Sequence, residues 1–515
     1  MRSAHCSIAR RMQSLLAGTM RPSAMSPRSQ SQARAMRTGG SATASSRPPH
    51  SDRRSPGILV LGGGIIGCSV AWQLLRAGFK HVTILAKQFS PHTTSDIAGA
   101  SIVPYTDSQD SGEQQRMLRW TQQTSDFMAQ MRSREGTQRT GINLVASYEF
   151  TPRATPAPAA AAAAPTSSSL AAQPPWWAPA MHGFRAMDAR EISAVLGVSA
   201  ESAARDFEQA WRYTTVTVDV TQYLTFLHTQ IEQMGGEMLQ AEIESIPRLR
   251  AAMQQYNAAH NSSEASMEAL RSPDLGALDL PLPVHALLRE HPYGLLINCT
   301  GLGAKWNVPD PGVIGCKGVV LRVVHPPALA HCYSSETSPN SYIIPRSEDV
   351  TVGGTFGIAD YDLSVPAGEA HRILSNAEQF VPDIDKAFSV KAMAGLRPYR
   401  SLVRLELVEG PSEPTQAFPE PKPNLNPTPD SYSLLTEAEI ERMRAEESAR
   451  LAARTPEQVH TDERAEKVPV VHCYGHGGSG ITLSMGCAID VLELARSVMQ
   501  PTREPVAPSQ LPSRL

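Results

Sequence analysis

Residues 58–61 (ILVL) form an unbroken, β-rich apolar run, the pattern of a strand buried on both faces. The hexapeptide GGGIIG follows directly, and over 69–75 the apolar positions return at helical spacing. This predicts a strand, a glycine turn and a helix in immediate succession. A second strand is predicted at 81–85 (HVTIL), and a further buried strand at 295–301 (LLINCTG), far downstream and ending in glycine. Two long stretches lack such periodicity. Residues 151–175 are Ala/Pro/Ser low complexity, read as a disordered surface insertion. Residues 408–467 begin equally Pro-rich, but over 434–454 Thr436 and Glu439 have capping-box spacing and Glu/Arg pairs recur at helical intervals, so one exposed helix is expected there. Residues 250–277 are also polar and read as a further insertion.

Composition sharpens that division. Residues 1–56, 151–175 and 408–467 hold 19 of the 41 prolines but only 2 of the 29 aromatic residues of the 515-residue chain, so the material for a core lies elsewhere. What remains is enough for a two-domain enzyme. The formal net charge of −3 gives no field that would gather nucleic acid or an anionic membrane. The longest apolar run, 57–72, is too short and too glycine-rich for a membrane span. Seven cysteines (Cys6, Cys68, Cys299, Cys316, Cys332, Cys473, Cys487) are widely spaced without a CxxC pair. That spacing argues against a disulfide framework or a structural metal site, and for a reducing compartment. Residues 1–56 carry ten arginines, no lysine and one acid, Asp52, a composition like that of an organelle transit peptide or a disordered extension. The C-terminal Ser513, Arg514 and Leu515 match the small-basic-Leu form of the peroxisomal address.

The glycine hexapeptide stands in the strand–turn–helix setting of a dinucleotide site. Gly62 would make the turn, Gly64 admit the pyrophosphate, and Gly67 pack helix on strand, with Ile65 and Ile66 opening the helix whose N-terminus faces the phosphates. The second strand ends at Ala86 and Lys87, where an acid for the adenosine ribose is often found. By motif rules lysine there suggests a 2′-phosphate and NADP, so the fingerprint alone leaves the cofactor open. The late strand at 295–301 suggests a nucleotide domain assembled from separated segments, with a second domain between them.

Four further blocks are similar to the D-amino-acid oxidase and D-aspartate oxidase family. They are 89–104 (FSPHTTSDIAGASIVP), 341–356 (SYIIPRSEDVTVGGTF), 395–400 (GLRPYR) and 470–488 (VVHCYGHGGSGITLSMGCA). In the last, His472, Tyr474, Gly475, Gly477, Gly478, Gly480, Gly486 and Ala488 fit the family signature, while Cys473 departs from it. The resemblance implies an α/β protein: a Rossmann-type FAD-binding domain (57–150, 292–312, 468–500) interleaved with a substrate domain on a mixed β-sheet (176–291, 313–407). The extension 1–56, the insertions 151–175 and 408–467, and the tail 501–515 would decorate it.

Roles follow from the same resemblance. Arg397 would grip the substrate carboxylate, Tyr342 add its hydroxyl, and the Gly478 carbonyl accept from the substrate amine. Thr93, Thr94 and Ser95 would line the flavin, as would Gly477, Gly480, Ile481 and Thr482 at the start of the last helix. No side-chain base and no metal is implied. The expected reaction converts a D-amino acid, with molecular oxygen, to a 2-oxo acid, ammonia and hydrogen peroxide; a peroxisomal import receptor and a second copy of the chain are the expected protein partners. Some positions depart from the family. Ser338 stands where vertebrate-type enzymes have a second tyrosine, Tyr333 of the lid loop does not match that spacing, and Lys317 replaces an arginine. Phe356 occupies the position where D-aspartate oxidases carry an arginine for the second carboxylate, which favours neutral side chains. Thr-Thr-Ser-Asp instead resembles the aspartate branch, for which Arg346 or Arg400 would have to serve.

Overall fold

The computed structural model describes residues 55–105, 110–153, 173–262, 280–324, 329–335, 341–386, 389–410 and 468–500. The chain opens with β1 (Gly57–Gly63), α1 (Ile65–Arg76), β2 (Val82–Phe89), the short α2 (Thr94–Ile97) and α3 (Ser111–Glu135). There follow β3 (Ile142–Pro152), β4 (His182–Ala186), β5 (Phe207–Val218), α4 (Val220–Gln233), β6 (Glu237–Gln240), α5 (Ile246–Asn261), α6 (Leu282–Glu290) and β7 (Tyr293–Asn298). The second half holds β8 (Ile314–Val324), β9 (Cys332–Ser335), β10 (Ser341–Pro345), β11 (Val350–Gly353), β12 (Gly357–Ile358) and α7 (Ala367–Ala377). It ends with β13 (Ser389–Val408), β14 (Val470–His476) and α8 (Gly480–Val498).

Among the described residues, hydrogen bonds join these strands into one sheet in the order β4-β5-β3-β9-β10-β11-β8-β13-β14-β7-β1-β2-β6, with β12 beside β8. The end from β14 to β6 is parallel throughout. Its strands are covered on both faces, which is why β1 reads as an unbroken apolar run: Ile58 and Val60 pack into the cluster of α1, α4 and α8, and Leu59 and Leu61 into that of α5 and α6. The other end is mixed, mostly antiparallel, and buries Val319, Leu321, Ile343 and Val352 against Ile373 and Leu374 of α7. The twenty-residue β13 is the seam. Its first half pairs with β8 and its last residues with β14, the register breaking between Tyr399 and Arg404.

Two expectations need correction. The resemblance puts residues 176–291 in the substrate domain, yet within them α4 packs on α1, β6 pairs with β2, and α5 and α6 cover β1 and β7. Conversely, β3 pairs with β5 and β9 at the mixed end. Local pattern shows that a helix is amphipathic, not which sheet it covers. Likewise the described start of the insertion expected at 250–277 belongs to the core: Leu249, Ala252, Met253 and Tyr256 form a buried stripe on α5, obscured in sequence by its polar face. The helix expected at 434–454, most of the insertion at 151–175, and Ser513, Arg514 and Leu515 lie outside the described residues.

Candidate active site

At the parallel end the glycine turn is fixed by contact. Gly62 has φ 109°, and a Cβ there would lie 2.3 Å from the Cys299 carbonyl oxygen. A Cβ on Gly67 would lie 1.9 Å from the Gly62 carbonyl oxygen, so helix and turn touch through backbone alone. Gly64 faces more open space, its nearest neighbour being Ser95 Oγ at 3.2 Å. It precedes α1 without supplying a side-chain cap, and the Ile65 N–H donates to Ser95 Oγ at 3.1 Å. Ile65 and Ile66 are buried. A glycine cradle, a helix N-terminus and a hydroxyl beside it suit a pyrophosphate.

Ala86 is the last buried residue of β2, while Lys87 is exposed and donates to Glu242 Oε1 at 3.1 Å. Glu242 escapes sequence reasoning because it follows β6, which only the fold brings beside β2. An acid therefore does stand beside Lys87, brought there by the pairing of β6 with β2. The inference that Lys87 selects a 2′-phosphate loses its basis.

The loop 90–99 runs between the two ends of the sheet. Asp96, buried within it, accepts from Ser90 Oγ (2.6 Å), the Thr93 N–H (3.0 Å), Thr93 Oγ1 (2.7 Å) and Thr221 Oγ1 (3.0 Å). The Thr93 hydroxyl thus serves the loop, Ser95 meets α1, and Thr94 is exposed. Arg322 of β8 pins the same loop. Its Nη2 reaches the carbonyl oxygens of Asp96 (3.2 Å), Ile97 (3.3 Å) and Ala98 (3.0 Å), and Nη1 donates to Thr351. Burial, followed by the like charge of Arg346, lowers its pKa to about 10. Nothing local in the sequence marks Arg322 for this position.

The substrate residues are placed by sheet register. Tyr342 lies opposite Gly353, Gly353 opposite Val320, and Gly318, two residues along β8, opposite Gly395. Opposed residues share a face and alternate residues return to it, so Tyr342, Gly353, Gly318 and Arg397 occupy one face. A Cβ on Gly353 would lie 2.3 Å from the Tyr342 hydroxyl oxygen, and one on Gly318 2.2 Å from Arg397 Nη1. Each polar side chain therefore lies across a glycine. The two glycines are diagonal neighbours, about 7–8 Å apart, so the hydroxyl and the guanidinium lie over neighbouring positions of one face. Glycine inside a strand is a sequence sign of such close approach, and it would have flagged both.

Arg397 Nη1 donates to the carbonyl oxygens of Lys317 (3.2 Å) and Thr355 (3.0 Å), and its guanidinium lies 5.6 Å from the Phe356 ring centroid. Among the described residues no carboxylate forms an ion pair with it. Its neighbours differ: Arg346 is held by Asp219 (3.2 Å) and Asp349 (2.8 Å), and Arg400 by buried Asp310 (3.2 Å). Neither fits the part of a waiting partner for a second carboxylate. Lys317 projects to the opposite side of β8 from Gly318, where it pairs with Asp360 at 3.6 Å.

Gly478 completes the cluster, a Cβ there lying 3.8 Å from Arg397 Cδ. Gly477 has φ 54°, and Gly480 starts α8. Ile481 and Thr482 are buried in its first turn, where Thr482 Oγ1 donates to the Val103 carbonyl oxygen at 3.2 Å. Ser479 Oγ binds both backbone groups of Tyr105. The Thr482 hydroxyl is thus used to clamp residues 103–105 against the helix start. Tyr333 does not join the site: it pairs with Ile343 and stacks toward Phe380 on the opposite face. Ser338 lies outside the described residues.

The family model described as FAD dependent oxidoreductase (DAO) matches residues 57–494. The chain belongs to this FAD-dependent oxidoreductase family. Human D-aspartate oxidase is 24% identical over 456 residues, covering 88% of this chain and 98% of its own. The D-amino-acid oxidase of Rubrobacter xylanophilus is 25% identical over 443 residues, covering 86% and 96%. In fold the oxidoreductase is similar to glycine oxidase from Geobacillus kaustophilus, with a TM-score of 0.55 at 15% identity over 90% of this chain and all of that one. Its cofactor is FAD, and the cradle at Gly62, Gly64 and Gly67, the hydroxyl of Ser95 and the α8 N-terminus are the residues that would hold it.

Proposed function

We propose that this flavoenzyme oxidises the amine of D-amino acids, preferring neutral side chains, to imino acids that hydrolyse to 2-oxo acids and ammonia. The observation that carries this reading is Arg397: a half-buried guanidinium with no carboxylate partner among the described residues, laid across Gly318 and facing the same side as Tyr342. A substrate carboxylate is the anion that this planar fork takes best. Tyr342 adds a hydroxyl to that grip, and the backbone at Gly478 stands beside the arginine stem to accept from the amine. Bound FAD supplies the hydride acceptor and passes the electrons to oxygen, giving hydrogen peroxide. The chain's own work is then to hold the Cα–H toward the cofactor, with the carboxylate and the amine each fixed by a partner.

Phe356 supports the preference for neutral side chains, since a phenyl ring lies against Arg397 where a second carboxylate would need a cation. The engagement of Arg346 and Arg400 by aspartates points the same way. The similarity to human D-aspartate oxidase favours the acidic alternative, and the near-equal similarity to a bacterial D-amino-acid oxidase balances it. Peroxide release measured across a panel of D-amino acids decides between them. D-alanine and D-methionine are expected to exceed D-aspartate in kcat/KM; the reverse order would assign the enzyme to acidic substrates.

A further inference from the structure

The fold gathers sulfur and nitrogen donors that the sequence keeps apart. Cys473 and His476 lie on β14, and Cys487 lies on α8, which packs against it. One donor atom from each lies within 4.8 Å of the others, and all three residues are buried. His476 Nε2 is 4.0 Å from Cys473 Sγ. A fourth donor stands alongside. The β7–β14 register, in which Asn298 is opposite His472, puts Cys299 next to Cys473, in the same buried cluster as Cys487. The donor set is three sulfurs and one imidazole nitrogen.

We infer that Cys299, Cys473, His476 and Cys487 form a structural zinc site joining β7, β14 and α8. Cys₃His is a usual donor set for closed, tetrahedral zinc. Ordinary zinc–ligand lengths put donor atoms about 3.4–3.8 Å apart, so the three donors within 4.8 Å of one another have to draw together and Cys299, outside that group, has to turn toward them. Softness of the thiolates selects Zn²⁺ over the oxygen-loving Mg²⁺ and Ca²⁺. Binding releases the thiol protons, and no redox change is involved. The ion would sit behind the turn rather than in it: the Cys299 carbonyl touches Gly62, and His476 leads into Gly477 and Gly478. It would thus fix the first glycine turn relative to the second.

The test uses the full-length, FAD-loaded enzyme, purified under reducing conditions without a metal-affinity tag. Elemental analysis is expected to find about one zinc per chain, as for a closed site. Replacement of that zinc by Co²⁺ should give visible bands to the red of the flavin absorption, the signature of tetrahedral thiolate ligation. Cys487→Ala, a small-for-small change judged folded by its retained FAD, should weaken zinc binding by more than about tenfold. The wild-type measurement stands even if that variant does not fold. Wild-type enzyme that neither contains zinc nor takes it up from added ZnCl₂ would overturn the site, as would full zinc binding by Cys487→Ala. Two fewer titratable thiols in metal-free, unreduced enzyme would also overturn it, assigning the sulfurs to a disulfide.

Discussion

A guanidinium held over a glycine, without a carboxylate among the described residues to neutralise it, invites an anion from outside the chain. Arg397→Ala should therefore weaken substrate binding by about 2–5 kcal/mol, a rise in KM of at least about 30-fold. Steady-state kinetics with a D-amino acid checks this, and an unchanged KM would remove Arg397 from the site. Arg397→Lys should recover only part of the loss, because an ammonium cannot present two parallel donors. Arg322 works differently, through three carbonyl oxygens of the loop 96–98. Arg322→Lys keeps the charge but not the fork. It is expected to weaken FAD retention, measured by flavin fluorescence on dialysis, by about tenfold; unchanged retention would show that the loop holds without it.

The strand–turn–helix of β1 and α1 was legible because its sterics are local: strand, turn and helix are contiguous, and each glycine has one reason to be there. Gly67→Ala tests this. The added Cβ would meet a backbone oxygen, Gly62 O at 1.9 Å, which cannot swing aside, so the variant should be produced with little or no bound FAD. Normal FAD content by absorbance would show that helix and turn can separate. Elements that depend on distant partners were not legible. The polar face of α5 hid a helix whose buried stripe matches β1 and β7, and nothing near Lys87 announces Glu242. Tyr333 failed as a substitute hydroxyl because a strand gives alternate residues opposite faces, and pairing with Ile343 commits it to the α7 side.

At the scale of the whole molecule, β13 joins a parallel sheet to a mixed one, and Arg397 lies just before the break in register. A buried network holds the seam: Asp310 accepts from Tyr474 (2.7 Å) and Arg400 (3.2 Å), and Arg404 donates to Tyr474 (2.7 Å). Burial alone would raise the Asp310 carboxyl, but Arg400, Tyr474 and Arg404 outweigh it and hold it below its ordinary value. Next to it, burial and then Arg404 lower His472 to about 3. Both shifts act in one direction. The unfolded chain binds protons that the folded chain refuses, so His472's contribution is fully present above about pH 6.5 and is lost as pH falls toward 3. Asp310's contribution fades as its own carboxyl protonates, also on the acid side. Thermal midpoints should fall on acidification through this window, and His472→Gln should flatten the fall; a midpoint that rises in acid would contradict the assignment. The family signature around Gly395 and Gly477 implied that Arg397 and Gly478 serve one substrate, but the seam's charge network is spread over Asp310, Arg400, Arg404 and Tyr474 and emerges only on folding.

Anaerobic mixing of the FAD-loaded enzyme with D-alanine, and separately with L-alanine, tests the proposed activity most directly. Loss of the flavin's visible absorbance with D-alanine but not with L-alanine is the predicted result. Absorbance unchanged by D-alanine and by every other D-amino acid would contradict it.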